Sequence, residues 1–169
     1  MRRRNGEMAK RPPIPRFSDS PIHSSPSSQS PTPSTAHPAP STHTVRVRYA
    51  ETDQAGMAHH AAFLPWFEEG RVELLRRLGK PYQEFEAEGL HFPVREAFCH
   101  YWAPARFDDV LAVATVIEQV GGASIRFGYR ITRESDQVLI AEGYTLHACV
   151  DTTGKVRRLP PEARKMLLY

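Results

Sequence analysis

One long helical pattern, followed by strand patterns, is the feature that most restricts the folds open to this chain. Across residues 62–78, apolar side chains recur at steps of three and four. They form a broad stripe of Phe63, Leu64, Trp66, Phe67, Leu74, Leu75 and Leu78. This spacing is typical of an amphipathic helix, and the width of the stripe predicts a helix that other structure surrounds. Gly79 and Pro81 predict its end, because glycine favours the position after a helix and proline cannot continue one.

Strand patterns lie on both sides of this helix. Before it, Val45, Val47 and Tyr49 alternate with two arginines, as in a strand with one apolar side. After it, strand-like segments run almost without interruption over residues 92–102, 110–118, 125–132 and 138–150. In the last segment, the predicted apolar side consists of Ile140, Tyr144, Leu146, Ala148 and Val150.

The order of these elements predicts an α+β fold, in which one long helix packs on a curved antiparallel sheet of five strands. Parallel winding is disfavoured, because no second helix separates the later strands. One sheet with one helix leaves an edge and a face of the sheet open. We therefore expect a homodimer.

Composition divides the chain into a tail, residues 1–42, and a domain, residues 43–169. The tail holds nine of the fifteen prolines and nine serines, and its six basic and two acidic residues give it a charge of +4. Since the whole chain carries +3, the basic balance belongs to the tail. Such a segment buries too little apolar surface to offset its ordering entropy and is predicted to be disordered. A solvated extension is the preferred interpretation, over a targeting peptide or a segment that binds nucleic acid.

Several classes of protein are excluded or disfavoured by what the sequence lacks. It contains no run of eighteen apolar residues and no signal-peptide core, so we expect a cytoplasmic protein without a membrane span. Cys99 and Cys149 are isolated, which predicts two buried thiols and neither a disulfide nor a metal site. The adjacent His59 and His60 point in different directions and do not form a metal pair.

Candidate catalytic groups lie where the first strand gives way to the helix. The backbone N–H groups at a helix start point outward and can stabilise a carbonyl oxygen that becomes an oxyanion. A carboxylate beside them can act as a nucleophile or as a base for water. Asp53, in the turn-forming segment 50–56, and His60, at the helix start, have this relationship. Glu68 lies about two turns further along the helix.

Each candidate also has a structural interpretation. Asp53 suits a loop or a helix cap, and His60 can contribute its backbone alone. Tyr49 can be a core aromatic residue at the end of a strand. Glu68 can form an ion pair with Arg71, which lies one turn further along the helix.

The run from Tyr49 to Glu73 resembles the signature of hotdog-fold acyl-CoA thioesterases of the 4-hydroxybenzoyl-CoA thioesterase type. That signature is Tyr-x-x-x-Asp, a glycine, a histidine before an aromatic residue, and then an aromatic-Glu pair and an arginine. Six positions match at the family spacing, and the similarity continues through residues 104–109 and the later strands.

This resemblance implies hydrolysis of a coenzyme A thioester, with coenzyme A as part of the substrate and with no metal or separate cofactor. Asp53 matches the catalytic aspartate of the family, and His60 matches the position whose backbone N–H faces the thioester carbonyl. Tyr49 matches a tyrosine near that carboxylate, and Glu68 matches a helix position that other hotdog branches use for a catalytic carboxylate. The family places its active site at a dimer interface, which implies a homodimer or homotetramer.

Two other functions fit parts of the same pattern. A hotdog 3-hydroxyacyl dehydratase would need a histidine and an acid facing one hydroxyacyl group, and the Asp53 loop argues against it. A non-catalytic acyl-CoA sensor would use the same pocket without turnover. The carboxylate at position 53 and the absence of a helix-turn-helix pattern in the tail argue against this function.

Overall fold

The computed structural model describes residues 38–168. Its sheet consists of β1 (Ser41–Arg46), β2 (Val94–Tyr101), β3 (Val110–Val120), β4 (Ser124–Arg133) and β5 (Leu139–Ala148). Its helices are α1 (Phe63–Arg77), α2 (Tyr82–Ala87) and α3 (Pro161–Leu168). Two short 3-10 turns, Tyr49–Glu51 and His60–Ala62, lie between β1 and α1. The strands pair antiparallel in the order β1-β3-β4-β5-β2, so β1 and β2 are the edges of the sheet.

The long helix packs across one face of this sheet, which confirms the predicted α+β architecture. Its buried residues are Phe63, Trp66, Phe67, Gly70, Leu74 and Leu75. The ring of Phe67 stacks on that of Tyr129 in β4, with centroids 4.2 Å apart and planes 8° from parallel. Alternate residues of β4 point at the helix and are at most 2% exposed, namely Ile125, Phe127, Tyr129 and Ile131. No helix between residues 38 and 168 is long and apolar enough to cross a bilayer.

The first strand begins earlier than the sequence predicts. It starts at Ser41, inside the range 1–42 that was assigned to the tail, and this serine is only 2% exposed. Composition could not reveal the boundary, because the serine and threonine of this strand are as polar as those of the tail. The prediction of disorder for residues 1–37 lies outside the described part of the chain.

Helices α2 and α3 are absent from the predicted element order. Helix α2 has six residues, too few for a helical period to be read from the sequence. Helix α3 starts with a proline at a tolerated position and buries Ala163 and Leu167, which are four residues apart. Neither helix separates two consecutive strands among β2 to β5, so the antiparallel prediction holds.

The predicted inner side of β5 is wrong for Tyr144 and Leu146, which lie half-buried on the opposite face. The side facing the helix instead carries Ala141, Gly143, Thr145 and His147, all of them buried. Two of these side chains are polar, so the apolar pattern of the sequence points to the wrong face.

A continuous chain of hydrogen bonds allows these polar groups to be buried. The Tyr129 hydroxyl lies 2.7 Å from Thr145 Oγ1, which lies 2.8 Å from His147 Nε2, and His147 Nδ1 lies 2.8 Å from the carbonyl oxygen of Phe92. A carbonyl oxygen only accepts, so Nδ1 of His147 carries the proton. Desolvation lowers the pKa of His147, which keeps the imidazole neutral. Each of these buried polar groups therefore has a partner.

Gly70 marks the closest approach of α1 to the sheet. A Cβ atom placed there would lie 2.4 Å from Thr115 Oγ1 and 3.0 Å from Val113 Cγ1, both in β3. Glycine weakens a helix interior by about 1 kcal/mol relative to alanine. The short distance to β3 explains why a glycine occupies this position.

We therefore expect Gly70→Ala to lower the free energy of unfolding, measured by urea denaturation. Overpacking costs about 1–3 kcal/mol and outweighs the gain of about 1 kcal/mol in helix propensity. Gly122→Ala is the matched control, because nothing lies within 4 Å of a Cβ atom at that position. Adding Thr115→Ala to Gly70→Ala should recover part of the loss. A Gly70→Ala protein as stable as the wild type would contradict this account.

Candidate active site

The segment between β1 and α1 forms a tight loop that presents Asp53. Thr52 and Ala58 form a bridge across the loop, and the backbone N–H of Asp53 donates to the carbonyl of Met57 at 2.9 Å. Gly56 supplies the turn with a φ of +71°, a conformation that side chains disfavour. The exposed carboxylate of Asp53 accepts a hydrogen bond from the N–H of Ala55 at 2.8 Å, which fixes its direction.

The helical segment begins at the other end of this loop, with His59 as its cap. The Nδ1 atom of His59 accepts a hydrogen bond from the N–H of Ala61 at 3.2 Å, and its ring lies 4.0 Å from that of His60. Within residues 38–168, no hydrogen bond uses the backbone N–H of His60, the first residue of the 3-10 turn that leads into α1. This N–H is an open donor at the positive end of the helical segment.

Asp53 and His60 open onto one cavity of about 380 Å³. Its other lining residues are mostly apolar or aromatic: Met57, Ala58, Phe63, Tyr101, Trp102, Ala103, Pro104 and Ala105. The rings of Phe63 and Tyr101 meet edge to face, 4.8 Å apart. The residue that bears the carboxylate and the residue with the open backbone donor thus line one apolar space large enough for part of a small molecule.

The two other predicted residues do not line this cavity. Tyr49 is 77% exposed, and its ring contacts Phe107 edge to face at 5.7 Å. It does not share the buried side of Val45 and Val47, because β1 ends at Arg46 and a 3-10 turn begins at Tyr49. The sequence-based expectation that Tyr49 continues the apolar side of the strand is therefore wrong.

Glu68 lies at a second cavity, of about 510 Å³, between α1 and β2. Its carboxylate is 3.2 Å from Nη2 of Arg71, so the predicted ion pair is present. Leu64, Pro65, Val94 and Ala97 give this cavity an apolar wall. Within one chain, the structure therefore brings Asp53 and His60 together and places Glu68 at a separate cavity.

Tyr101 and Trp102 are cavity residues that the sequence did not single out. The hydroxyl of Tyr101 donates to the carbonyl of His60 at 3.4 Å, which links the end of β2 to the helix start. Desolvation raises the pKa of Tyr101 to about 12, so the hydroxyl keeps its proton at neutral pH. Strand alternation placed both residues on a strand, but no sequence signal places that strand end beside a loop about 40 positions earlier.

Thiol and metal chemistry find no support among the described residues. Desolvation raises the pKa of the half-buried Cys99 to about 11 and also raises that of the buried Cys149. Both thiols are therefore protonated at neutral pH and are poor nucleophiles. Between residues 38 and 168, no group of three or more His, Cys, Asp or Glu side chains could hold a metal ion.

Comparison with known proteins shows the family to which this chain belongs. The sequence model of the thioesterase-like superfamily matches residues 47–167. The chain belongs to this superfamily. It is 38% identical over 117 residues to the acyl-CoA thioester hydrolase YbgC of Escherichia coli, covering 69% of this chain and 87% of that protein. It is 34% identical over 122 residues to a putative esterase of Aquifex aeolicus, covering 72% and 93% of the two chains.

Solved structures with a similar fold include a thioesterase. The hypothetical protein TT1821 of Thermus thermophilus is 40% identical, with a TM-score of 0.71 over 76% of this chain and 99% of that one. A DHNA-CoA thioesterase of Staphylococcus aureus is 27% identical, with a TM-score of 0.72 over 75% and 87% of the two chains. The predicted hotdog fold and the family resemblance are confirmed, and so is the assignment to the thioester hydrolases.

Proposed function

We propose that this protein hydrolyses an acyl-CoA thioester to a carboxylate and free coenzyme A at the cavity shared by Asp53 and His60. The observation that supports the proposal is that Asp53, which bears an exposed carboxylate, and His60, the first residue of the helical segment, line one mostly apolar cavity. The relatives named as acyl-CoA thioester hydrolases support coenzyme A as the carrier of the acyl group.

Asp53 and the helix start divide the chemistry between them. The Asp53 carboxylate attacks the thioester carbon or removes a proton from the water that does so, and the carbonyl oxygen gains negative charge. The N–H of His60 and the positive end of the helical segment hold this oxyanion. When the carbon–sulfur bond breaks, the sulfur leaves as the thiolate of coenzyme A and takes up a proton. If Asp53 is the nucleophile, water then hydrolyses the acyl-enzyme anhydride.

Replacing the carboxylate tests this assignment. We expect Asp53→Asn to lower kcat/KM on the order of 10²–10⁴-fold, because it removes the nucleophile or base while keeping the side chain's size. The measurement is release of free thiol from a panel of aromatic, short-chain and long-chain acyl-CoAs. Asp108→Asn is the matched control, since Asp108 is an exposed residue paired with Arg46, and it should keep wild-type activity.

The Asp53→Asn variant also distinguishes an enzyme from a sensor that binds acyl-CoA without hydrolysing it. Trp102 lines the cavity and is 59% exposed, whereas the chain's other tryptophan, Trp66, is 1% exposed. A stable thioether analogue of acyl-CoA should therefore change the fluorescence of Asp53→Asn saturably, and Trp102→Phe should remove this signal. Saturable binding without wild-type turnover on any thioester would favour a sensor, and equal turnover by Asp53→Asn would refute the role of Asp53.

The open edge at β2 supports a homodimer as the working assembly. Strand β2 is an edge of the sheet, and its residues are mostly exposed. Val94, the first residue of β2, is 50% exposed and Leu64 on α1 is 46% exposed, and both line the cavity that contains Glu68. An exposed strand edge beside apolar side chains is a favourable surface for pairing with a second copy. Such pairing would enclose Glu68 between the two copies. In this arrangement the Glu68 carboxylate would become part of an active site at the dimer interface.

We expect the wild-type protein to sediment as a dimer, or as a tetramer built from dimers, in analytical ultracentrifugation. Leu64→Arg should shift it to the monomer, because two added charges would face each other across the paired surface. Val156→Arg is the matched control, since Val156 is an exposed apolar residue outside β2 and α1. A wild-type monomer at micromolar concentration, or a Leu64→Arg dimer, would contradict this arrangement.

A further inference from the structure

Glu51 is a nearly buried carboxylate at the base of the Asp53 loop, with a side chain only 10% exposed. Its Oε2 atom accepts a hydrogen bond from the backbone N–H of Arg48 at 2.8 Å. Its Oε1 atom accepts one from Arg48 Nη2 at 2.8 Å and one from Nε1 of Trp66 at 3.2 Å. One carboxylate thereby joins the end of β1 to the first turns of α1.

These donors keep the carboxylate charged in spite of its burial. Desolvation raises the pKa of Glu51, but hydrogen bonds from the Arg48 side chain and backbone and from Trp66 more than offset it. The pKa therefore lies below its usual value. Glu51 is charged at neutral pH and holds three donors at once.

The backbone of Glu51 reaches the other end of the same loop. Its carbonyl accepts a hydrogen bond from the N–H of His59 at 2.7 Å. Asp53 lies two positions after Glu51, and His60 lies one position after His59. Glu51 thus lies just before Asp53 in the chain and is hydrogen-bonded to the residue just before His60.

Trp66 extends this influence to the wall of the cavity. Its indole is 1% exposed, so its N–H needs an acceptor inside the protein, and Glu51 provides it. The indole packs against the ring of Phe63 at 4.8 Å, and Phe63 lines the cavity.

Stability alone does not require a charged group here. A neutral amide could accept from the indole, and an ion pair with an arginine side chain that is 74% exposed adds little. Ionised acceptors, however, form shorter and stronger hydrogen bonds than neutral ones. A carboxylate is the group that holds these three donors, two from Arg48 and one from Trp66, in one fixed arrangement.

We infer that Glu51 is a positioning residue that sets the Asp53 carboxylate against the backbone N–H of His60. This inference rests on the proposed function. A misplacement of about 1 Å at a reacting group can cost on the order of 100-fold in rate. Loss of the Glu51 contacts would therefore lower kcat far more than it changes substrate binding.

Two conservative variants test this role. Glu51→Gln keeps the length and an acceptor oxygen, whereas Glu51→Asp keeps the charge but is one methylene too short to reach Arg48 and Trp66 together. We expect kcat for the best acyl-CoA to fall about tenfold in Glu51→Gln and about 100-fold in Glu51→Asp. KM should stay within about threefold of the wild-type value. All assays are run well below the melting temperature found by circular dichroism.

Glu73→Gln is the matched control. Glu73 is a carboxylate on α1 that pairs with Arg76 and Arg77 on the same helix, so its loss should leave kcat unchanged. Folded Glu51 variants with wild-type kcat would overturn the inference. A rise in KM at constant kcat would also overturn it, because that result indicates a change in binding alone.

Amide hydrogen exchange decides the question independently of turnover. The backbone N–H groups of Asp53, Ala58 and His59 are hydrogen-bonded within or beside the loop. In Glu51→Asp they should exchange at least tenfold faster, while amides of β3 and β4 keep their wild-type rates. If the wild type hydrolyses no thioester, the proposed function fails on its own. Unchanged loop exchange would then still overturn the positioning role of Glu51.

Discussion

The close packing of α1 on the sheet sets the geometry of everything else in this protein. The helix approaches β3 so closely at Gly70 that a single added methyl group would overlap Thr115. The stack of Phe67 on Tyr129 fixes the same helix against β4. With the helix axis held in this way, its N-terminal end has a fixed place relative to the end of β2. That place is where the cavity lies.

The loop before the helix turns this fixed end into a candidate catalytic site. Asp53 is held by its Asx-type bond to Ala55, and His59 caps the turn that begins at His60. The open N–H of His60 and the carboxylate of Asp53 thus belong to a short segment whose two ends are tied together at Glu51. Mostly apolar side chains line the cavity beside this segment, and in the proposed reaction they would strengthen the electrostatic interaction with the oxyanion.

The sequence predicts those features that depend on local periodicity and chain order. The stripe from Phe63 to Leu78 revealed the helix, and the order strand, loop and helix placed Asp53 beside the start at His60. Residues that act through distant contacts were not predictable in this way. Tyr101 reaches His60 from a strand end far along the chain, and Glu51 looks like an ordinary solvated acid in a turn.

Two predictions about strands are wrong, one for the inner side of β5 and one for Tyr49. In both, the alternation of apolar residues in the sequence does not give the direction in which the side chains point. In β5, Thr145 and His147 point into the core because their hydrogen bonds are satisfied there, and Tyr144 points away. At the end of β1, the chain turns before Tyr49, so this residue leaves the alternation that Val45 and Val47 begin. In both cases, the direction of the side chains follows from the three-dimensional structure and not from the sequence pattern.

The buried hydrogen-bond chain from Tyr129 through Thr145 to His147 also makes the stability of the fold depend on pH. Burial lowers the pKa of His147 below the value of about 6.5 that an unfolded chain would give it. Between the folded and unfolded values, the unfolded state binds more protons, so the stabilisation by this neutral imidazole is complete above pH 6.5 and declines as the pH falls. Acidification therefore acts on the support beneath Phe67 and the helix, through a residue that does not line the cavity of Asp53. The fold loses stability in acid through a histidine that takes no part in the chemistry at the cavity.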